Sequence, residues 1–405
     1  MTQKKVAVIG GGAAGFFAAI SSKTTYPDYQ VFVFEKSNKL LAKVKISGGG
    51  RCNVGNATFG ASELSKHYPR GGKQLKKAFN QFSTKQTIEW FEEKGVELKT
   101  EADNRMFPIS DDSTTIMDCL LNTARGLGIQ IMKHIDVKSI SPLTEGFNLE
   151  LSDNEEYFDN VIIATGGSPK MRGFDWLIEL GHEIVPPVPS LFTFNMPNEN
   201  VTNLSGVTVP NAQVKVQGTK LKHSGPLLIT HWGMSGPAVL KTSAWGARDL
   251  HIRDYKFDIQ VNWLGEVTEE DFRTSLSSIV AGNHKRQLKN QNPFNLPNRL
   301  WDYFIDKVNI QPDKIWAEVN KKELNRLMNT LLNDTYEVSG KTTFKEEFVT
   351  AGGVALSNVD FNTMQSRQCL GLYFAGEVLD IDGVTGGFNF QAAWTTGFIA
   401  GQLKN

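Results

Sequence analysis

Strand and helix patterns alternate at the start of the chain. Residues 6–9 form a short apolar run, and glycines and then a helical pattern with Phe16, Phe17 and Ile20 follow it. A second apolar run, QVFVFEK, follows this helix and ends in Glu35 and Lys36. A buried strand, a helix and a second buried strand predict a β-α-β unit of a parallel sheet.

The same alternation continues to about residue 167. Apolar positions at helical spacing predict one helix over residues 73–95 and another in TTIMDCLLNTARGLG. The segments IQIMKHIDVKSI and DNVIIATGG predict strands, and the second runs into glycines. These steps extend the parallel sheet.

The pattern changes at VPPVPSL, where three prolines exclude a regular helix or a central strand. Short alternating runs then predict antiparallel strands, and helical spacing with a TEED capping box follows from Thr268. Short strands and glycines return near residue 340. The predicted fold class is α/β: a Rossmann-like domain of residues 1–190 and 340–405, split by a β-rich insert (191–265) and a helical insert (266–339).

Composition limits the classes of partner. The 405 residues suit two to three domains. Lys plus Arg and Asp plus Glu both number 43, so no net field attracts nucleic acid or an anionic membrane, and neither is expected as a partner. A nucleic-acid-modifying enzyme would need a basic groove with aromatic residues, and the sequence has no long basic stripe.

The cysteines and apolar runs indicate the compartment. Cys52, Cys119 and Cys369 are odd in number and far apart, which fits neither a disulfide framework nor a zinc site. The N-terminus has no signal-peptide core, and no run approaches 18 apolar residues. We expect a cytoplasmic protein without a metal site.

A glycine motif predicts a dinucleotide site. Gly10, Gly12 and Gly15 form G-x-G-x-x-G between the first strand and its helix, and Glu35 ends the next strand. In such units the glycines allow the turn, the approach of pyrophosphate and the packing of the helix, while the acidic residue accepts from the ribose. The motif does not separate NAD from FAD.

A second glycine loop favours FAD. The segment GLYFAGEVLDIDGVTGGFNFQAAW predicts a strand, a loop and then Gly386 and Gly387 before a helix that begins near Phe388. The isoalloxazine needs positive potential at its N1 and C2 carbonyl edge, and a second helix start supplies it. The alternative is a C-terminal helix that merely covers the sheet.

The chain contains, in this order, VAVIGGGAAG, KVKISGGGRCNVGN, VIIATGG, LGHEIVPPVPSL, THWGMSGPAVL, VTAGGVALSNVDFNTMQS and the C-terminal glycine-loop segment. Together these segments resemble the aminoacetone-oxidase-like FAD-binding flavoproteins, also called the BaiN/YhiN-like family. The resemblance implies an FAD domain split across both chain ends, with a β-barrel-like and a helical segment inserted. The chain departs from the family at residues 169–174, where many members carry a longer segment rich in glycine and threonine.

Carried over position by position, the resemblance implies a set of FAD contacts along the chain. They are Gly10, Gly12, Ala13, Ala14, Gly15, Glu35 and Lys36 at the dinucleotide, Gly49, Arg51, Cys52 and Asn53 at the pyrophosphate and flavin, Val137 at the adenine, Thr165 and Gly166 along the cofactor, Gly376 and Glu377 near the ribityl chain, and Gly387, Phe388 and Asn389 at the pyrimidine edge.

Three residues are candidates for catalysis. His231 would shuttle a proton, Ser235 would orient a carbonyl or an amine, and Thr350 would border a substrate lying between residues 350–353 and the insert. The alternative for the first two is structural, with His231 bonding its turn and Ser235 capping a helix. Cys52 has no neighbouring cysteine, so a dithiol relay is not expected.

The sequence favours an FAD-dependent oxidoreductase that moves a hydride between the flavin and a small organic substrate. The resemblance implies either amine oxidation with oxygen or a reductase or dehydrogenase reaction with NAD(P)H as a transient donor. The alternative from another class is a non-catalytic flavin-binding redox sensor. Substrate identity and oligomeric state stay open.

Overall fold

The computed structural model describes residues 3–152, 154–343 and 349–404. These residues form two compact units. The first consists of the described chain up to Ser190 together with the residues from Val349 onward, and the second is Leu191–Thr343.

The first unit supplies the elements at both ends of the chain. Up to residue 190 it contains β1 (Lys5–Ile9), α1 (Ala13–Thr25), β2 (Gln30–Glu35), α2 (Ala42–Ile46), β3 (Gly55–Asn56), α3 (Ala61–Ser65), α4 (Gly72–Phe79), α5 (Thr84–Glu92), β4 (Leu98–Thr100), β5 (Arg105–Pro108), α6 (Ser113–Gly126), β6 (Gln130–Lys133), β7 (Ser139–Pro142), β8 (Phe147–Glu150), β9 (Glu155–Phe158), β10 (Asn160–Ile163), α7 (Asp175–Glu179) and β11 (Ile184–Ser190).

The second unit follows. It contains β12 (Thr193–Asn195), β13 (Thr208–Val216), β14 (Lys222–Thr230), β15 (Gly233–Ser235), α8 (Pro237–Trp245), α9 (Ala247–Ile252), β16 (Lys256–Asn262), α10 (Glu269–Asn283), α11 (Asn298–Lys307), α12 (Lys321–Asn333), β17 (Asp334–Ser339) and β18 (Lys341–Thr342). The first unit then ends with β19 (Val349–Val354), β20 (Val359–Asp360), β21 (Gln365–Ser366), β22 (Leu372–Phe374) and α13 (Phe388–Gly401).

A seven-stranded sheet forms the centre of the first unit, in the order β20-β21-β22-β10-β1-β2-β6. The strands from β22 to β6 pair in parallel, as the apolar runs predict. β22 comes from the far end of the chain and pairs with β10. α13 packs closely on α1. A Cβ on Gly397 would lie only 2.6 Å from Ala14 O, so the contact requires glycine there. The Rossmann-like α/β fold is therefore confirmed, and both chain ends are needed to complete it.

The second unit is an antiparallel sheet with helices. Its strand order is β17-β16-β13-β14-β15-β12-β18, and the two end strands are separated in the chain only by Gly340. The sheet must therefore curve back on itself, as a barrel does. Trp263, next to the sheet, and Trp301 and Trp316, in the helical segment, are buried in the same hydrophobic core.

Local differences from the predicted pattern have physical reasons. The helix predicted over residues 73–95 is two helices, because Ser83 and Gln86 form a capping box that starts α5. The strand predicted after residue 128 is likewise divided into β6 and β7, with His134 at φ +60° between them. The last residues of the segment predicted as helical form β17, and the proline-rich β11 pairs with β19 alone.

Within the described ranges, no helix is both long and apolar enough to cross a membrane. In that part of the chain, His, Cys, Asp and Glu side chains do not gather in threes or more around a point that could hold a metal ion.

Candidate functional site

Four loops leave the parallel sheet at one edge. They follow the carboxyl ends of β1, β2, β10 and β22, which is where open α/β sheets bind ligands. Ala164 N donates to Ile9 O (2.8 Å) and Ala375 N donates to Ile163 O (2.9 Å), so the loops start side by side. The predicted cofactor residues on these loops and on the start of α1 are Gly10, Gly12, Ala13, Ala14, Gly15, Glu35, Lys36, Thr165, Gly166, Gly376 and Glu377.

The start of α1 is built to receive an anion. The helix begins after Gly12, and no side chain caps it. Its first N–H groups therefore point out of the helix with the positive end of the dipole behind them. A Cβ on Gly12 would have no atom within 4 Å, whereas a Cβ on Gly15 would lie 1.9 Å from Gly10 O. Packing thus requires glycine at 15, and the space at 12 is left for a ligand.

Glu35 is held firmly at the end of β2. Its Oε2 accepts from Gly11 N (3.0 Å) and its Oε1 accepts from Ser37 N (2.9 Å). Its carbonyl accepts from Ile135 N (3.1 Å), which brings the segment leading to Val137 alongside. The structure therefore places the acidic residue and the backbone predicted to meet adenine at the same end of the sheet.

α13 provides a second helix start without a side-chain cap. Gly387 precedes Phe388 and has φ +93°. A Cβ on Gly387 would lie 2.4 Å from Gly55 O, so this turn rests directly on the backbone of β3. Asn53, with its amide oriented to suit its neighbours, accepts from Gly387 N (3.0 Å) and donates to Gly55 O (2.8 Å). Two predicted cofactor residues, Asn53 and Gly387, are thus in contact.

The residues after this turn are fixed by side chains from both directions. Asn389 accepts from Gly383 N (2.8 Å) and donates to Gly383 O (3.1 Å), so its amide holds the preceding loop. Phe388 stacks on His67 with ring centroids 4.2 Å apart, and Tyr68 Oη donates to Phe388 O (2.6 Å). The start of α13 is therefore held in place before any ligand arrives.

The loop before β3 contains Gly49 and Arg51. A Cβ on Gly49 would have no atom within 4 Å. The Arg51 guanidinium stacks on Phe107 (4.0 Å to the ring centroid) and pairs with Glu101 (2.6 Å) and Asp111 (3.3 Å). The hydrogen bond to Glu101 raises the pKa of Arg51. Protein carboxylates thus occupy the guanidinium, and its predicted contact with the pyrophosphate stays a prediction.

Cys52 is buried, and burial raises the pKa of its thiol to about 12. The thiolate is the reactive form, so this cysteine is expected to be inert at neutral pH. In a thiol-reagent titration of the folded protein at pH 8, Cys52 should stay unmodified, and all three thiols should react in denaturant. A Cys52→Ala variant should show the same folded-state titration as the wild type. Modification of Cys52 in the folded protein at the rate seen in denaturant would contradict its burial.

Thr350 has a buried hydroxyl without a hydrogen-bond partner in the described structure. Its backbone N donates to Glu377 Oε1 (2.9 Å), and Glu377 Oε2 accepts from Lys43 Nζ (2.6 Å). A Cβ on Gly167 would lie 2.5 Å from Thr350 Oγ1, so the hydroxyl lies against the loop that follows β10. Buried hydroxyls are nearly always paired. The hydroxyl is therefore available to bond a ligand.

A buried ion pair that the sequence analysis missed anchors the C-terminal glycine loop. The Asp382 carboxylate is fully buried and accepts from Nε and Nη2 of Arg70 and from the Ser190 hydroxyl (2.6 Å). Burial raises the pKa of Asp382, and Arg70 and Ser190 act against that rise. Both oxygens of the Asp382 carboxylate are therefore used by these two side chains. The signal for Arg70 in the sequence is its place in HYPR at 67–70, a polar loop segment with a proline, because functional side chains are often carried on loops.

His231 and Ser235 belong to the second unit. His231 is exposed in the turn between β14 and β15, with its ring 4.0 Å from that of Trp232. The residue that precedes α8 is Gly236, so the structural alternative in which Ser235 caps this helix is wrong. Their catalytic roles stay predictions.

The residues at the sheet edge fit an FAD. Two helix starts lack side-chain caps, Gly12 faces open space, and the buried Thr350 hydroxyl has no partner in the described structure. A pyrophosphate suits the start of α1, and the flavin pyrimidine edge, where negative charge develops, suits the start of α13. Glu35 is placed to accept from a ribose.

Comparisons with known proteins agree with this site. The chain matches the family described as HI0933-like protein Rossmann domain over residues 4–403. It is 26% identical to the 3-dehydro-bile acid delta(4,6)-reductase of Clostridium scindens, over 98% of both chains. It is 28% identical to the ribosomal RNA dihydrouridine synthase of Escherichia coli, over 98% of this chain and 96% of the relative.

Among solved structures, the chain is similar in fold to an E. coli quinol fumarate reductase chain, with a TM-score of 0.51 and 14% identity. That similarity covers 99% of this chain and 69% of the other. The resemblance of the seven sequence segments is confirmed by the family match. Because this match spans nearly the whole chain, the protein belongs to the HI0933-like family of FAD-binding oxidoreductases with a Rossmann domain.

Proposed function

We propose that this FAD-dependent oxidoreductase saturates a carbon–carbon double bond conjugated to a carbonyl group, with NAD(P)H as the transient electron donor. The observation that carries the proposal is the near-complete match to two relatives with different substrates. One is named as a delta(4,6)-reductase of a 3-dehydro bile acid and the other as a synthase of dihydrouridine. Both names describe removal of a double bond that lies next to a carbonyl.

Bound FAD, once reduced by NAD(P)H, would supply a hydride to the distal carbon of such a double bond, and a proton from solvent would complete the saturation at the carbon next to the carbonyl. The chain's own residues would hold the cofactor and provide hydrogen bonds. The starts of α1 and α13 supply N–H groups and positive potential at two separate places, and the Asp382–Arg70 pair fixes the loop between β22 and α13. Saturation of a conjugated double bond also builds negative charge on the carbonyl oxygen, which needs a donor.

The Thr350 hydroxyl is buried and has no hydrogen-bond partner within the described residues, and we infer that it bonds a carbonyl of the substrate or cofactor. Replacing Thr350 with valine keeps the shape and removes the hydroxyl. A buried unpaired hydroxyl is unfavourable. Without FAD, the free energy of unfolding of the variant should therefore equal that of the wild type or exceed it by up to about 1 kcal/mol. Its kcat should fall roughly 3- to 10-fold, as expected for one lost hydrogen bond.

A Thr350→Ser variant retains the hydroxyl and serves as the matched control. Chemical denaturation of the FAD-free proteins and turnover of the loaded ones separate the two effects. A Thr350→Val variant with full kcat, or one that is markedly less stable without FAD, would show that the hydroxyl has a structural partner instead.

The electron donor is tested by stopped-flow absorbance. FAD-loaded protein is mixed anaerobically with NADH or NADPH and then with oxygen, and dithionite establishes the signal of complete reduction. The proposal predicts loss of the oxidised-flavin band with a nicotinamide and slow recovery in oxygen. An unchanged band with both nicotinamides, together with rapid recovery of the dithionite-reduced protein in oxygen, would favour an oxidase instead.

A further inference from the structure

A basic groove lies in the second unit between the end of α11 and the face of α12. Its volume is about 690 Å³. The α12 residues that line it form two rows at i, i+4 and i+8 spacing, and the lining contains no carboxylate. The first row is Lys321, Asn325 and Asn329, and the second is Lys322, Arg326 and Thr330.

The opposite face of α12 packs into the core through Leu327, Leu331 and Leu332, so the two polar rows face outward along the helix. Residues four apart on a helix have Cβ atoms about 5–6 Å from each other. A chain of regularly spaced anions lying along the groove would therefore meet a cation or a neutral donor at each step.

The groove cations on α12 lack ion-pair partners within the described chain. Lys321, Lys322 and Arg326 make no ion pair there, and Glu323 is the one carboxylate on α12. Glu323 accepts from Lys314 Nζ (2.8 Å) and from Asn320 N (2.9 Å), so it is already used. These contacts lower the pKa of Glu323, and the positive charge of Arg326 adds a smaller effect.

The fold itself gains nothing from these charges. Two lysines in the first turn of a helix oppose the macrodipole, which is unfavourable. Lys322 and Arg326 are like charges at i, i+4, and their repulsion is also unfavourable. Across the groove, Lys307 differs from them, because its Nζ is paired with Asp334 (2.6 Å). The unpaired cations are therefore available to an anionic ligand.

We propose that this groove binds the phosphodiester backbone of an RNA. The cations alternate with amide and hydroxyl side chains, which bond phosphate oxygens and ribose 2′-hydroxyls. A peptide that binds as an amphipathic helix would instead use apolar anchors, and the one apolar lining residue, Val308, is buried. The inference rests on the proposed function in one respect: a uracil ring within RNA is one of the conjugated substrates that it covers.

The expectation that nucleic acid is not a partner rests on the balanced net charge and on the absence of a long basic stripe in the sequence. The groove joins residues 307–309 to residues 321–330, and its cations are spread among amides, so no long basic run marks it.

The test measures binding of a fluorescein-labelled ribosomal RNA fragment to the full-length, FAD-loaded protein by anisotropy, over a range of salt concentrations. In the test variant, Lys321, Lys322 and Arg326 are all replaced by alanine. In the control variant, the exposed Lys215, Lys220 and Lys285, which lie outside the groove, are replaced by alanine. Both variants lose the same charge, and surface changes of this kind should leave the fold intact.

The groove variant should bind at least tenfold more weakly than the control. Its slope of log affinity against log salt should be smaller by about 2, since each lost phosphate contact with single-stranded nucleic acid removes about 0.7. Wild-type protein that does not bind the RNA, or a groove variant equal to the control, would overturn the proposal. Equal competition by poly-glutamate would reassign the groove to an acidic peptide. Reduction of a small enone should be the same in both variants, so failure of the proposed reaction would be seen separately.

Discussion

Replacing Asp382 with alanine is expected to destabilise the protein by about 3–5 kcal/mol, because the change leaves the Arg70 guanidinium partly buried without its partner. The Arg70 side chain is 13% exposed and the Asp382 side chain is fully buried, so water replaces little of the lost interaction. The loop before α13 should lose its fixed position, and FAD should dissociate from the variant. Urea unfolding and the flavin content of the purified protein measure both effects.

Two controls separate burial from charge. Replacing both partners with leucine should recover part of the stability, because no unpaired charge then remains. Breaking the more exposed pair between Arg105 and Asp103 by Asp103→Ala should cost no more than about 1 kcal/mol. An Asp382→Ala variant within 1 kcal/mol of the wild type would contradict the assigned role of the pair.

Replacing Gly12 with alanine is expected to leave the fold intact and to weaken FAD binding roughly 10- to 100-fold or more. The position has extended backbone, φ −93° and ψ −171°, and open space at the Cβ, so the chain tolerates a methyl group there. A bound pyrophosphate would not tolerate this methyl group, because the group would separate the phosphates from the N–H groups of α1. Each charge-assisted hydrogen bond lost costs about 1.5–3 kcal/mol, which is tenfold or more in affinity. Calorimetric titration of the FAD-free protein with FAD measures the change.

Gly126→Ala is the matched control, since its Cβ also meets nothing within 4 Å and lies far along the chain at the end of α6. It should bind FAD like the wild type. Gly15→Ala should behave differently and fail to fold, because its Cβ would lie 1.9 Å from Gly10 O. Unchanged FAD affinity in Gly12→Ala would mean that the cofactor does not approach this helix start.

Local pattern was sufficient for the cofactor side of the fold. The apolar run, the glycines and the helical spacing before residue 26 correctly predict β1 and α1, and the start of α13 at Phe388 is also confirmed. These features depend on residues close together in sequence. The local sequence also contains the signal that separates α4 from α5, which is the capping box of Ser83 and Gln86. The apolar spacing on both sides of this box nevertheless suggested one continuous helix.

Long-range pairs could not be predicted in this way. Arg70 and Asp382 are 312 residues apart, and the sequence around one residue does not predict the other as its partner. The unmet hydroxyl of Thr350 becomes visible only when β19, β10 and the Glu377 loop are packed together. The basic groove likewise needs two helices from separate segments. Sequence reasoning therefore found the two helix starts that are predicted to hold the cofactor, and it missed the contacts that fix the loops around them.

The most direct test of the proposed reaction follows the acceptor. Protein loaded with FAD and reduced anaerobically is mixed with a conjugated 3-oxo-4,6-diene steroid, with a uridine-containing RNA, or with the saturated counterpart of each. The proposal predicts that at least one unsaturated compound restores the oxidised-flavin band with loss of one carbon–carbon double bond, and that the saturated compounds do not. A flavin that stays reduced with every conjugated compound and is reoxidised only by oxygen would contradict it.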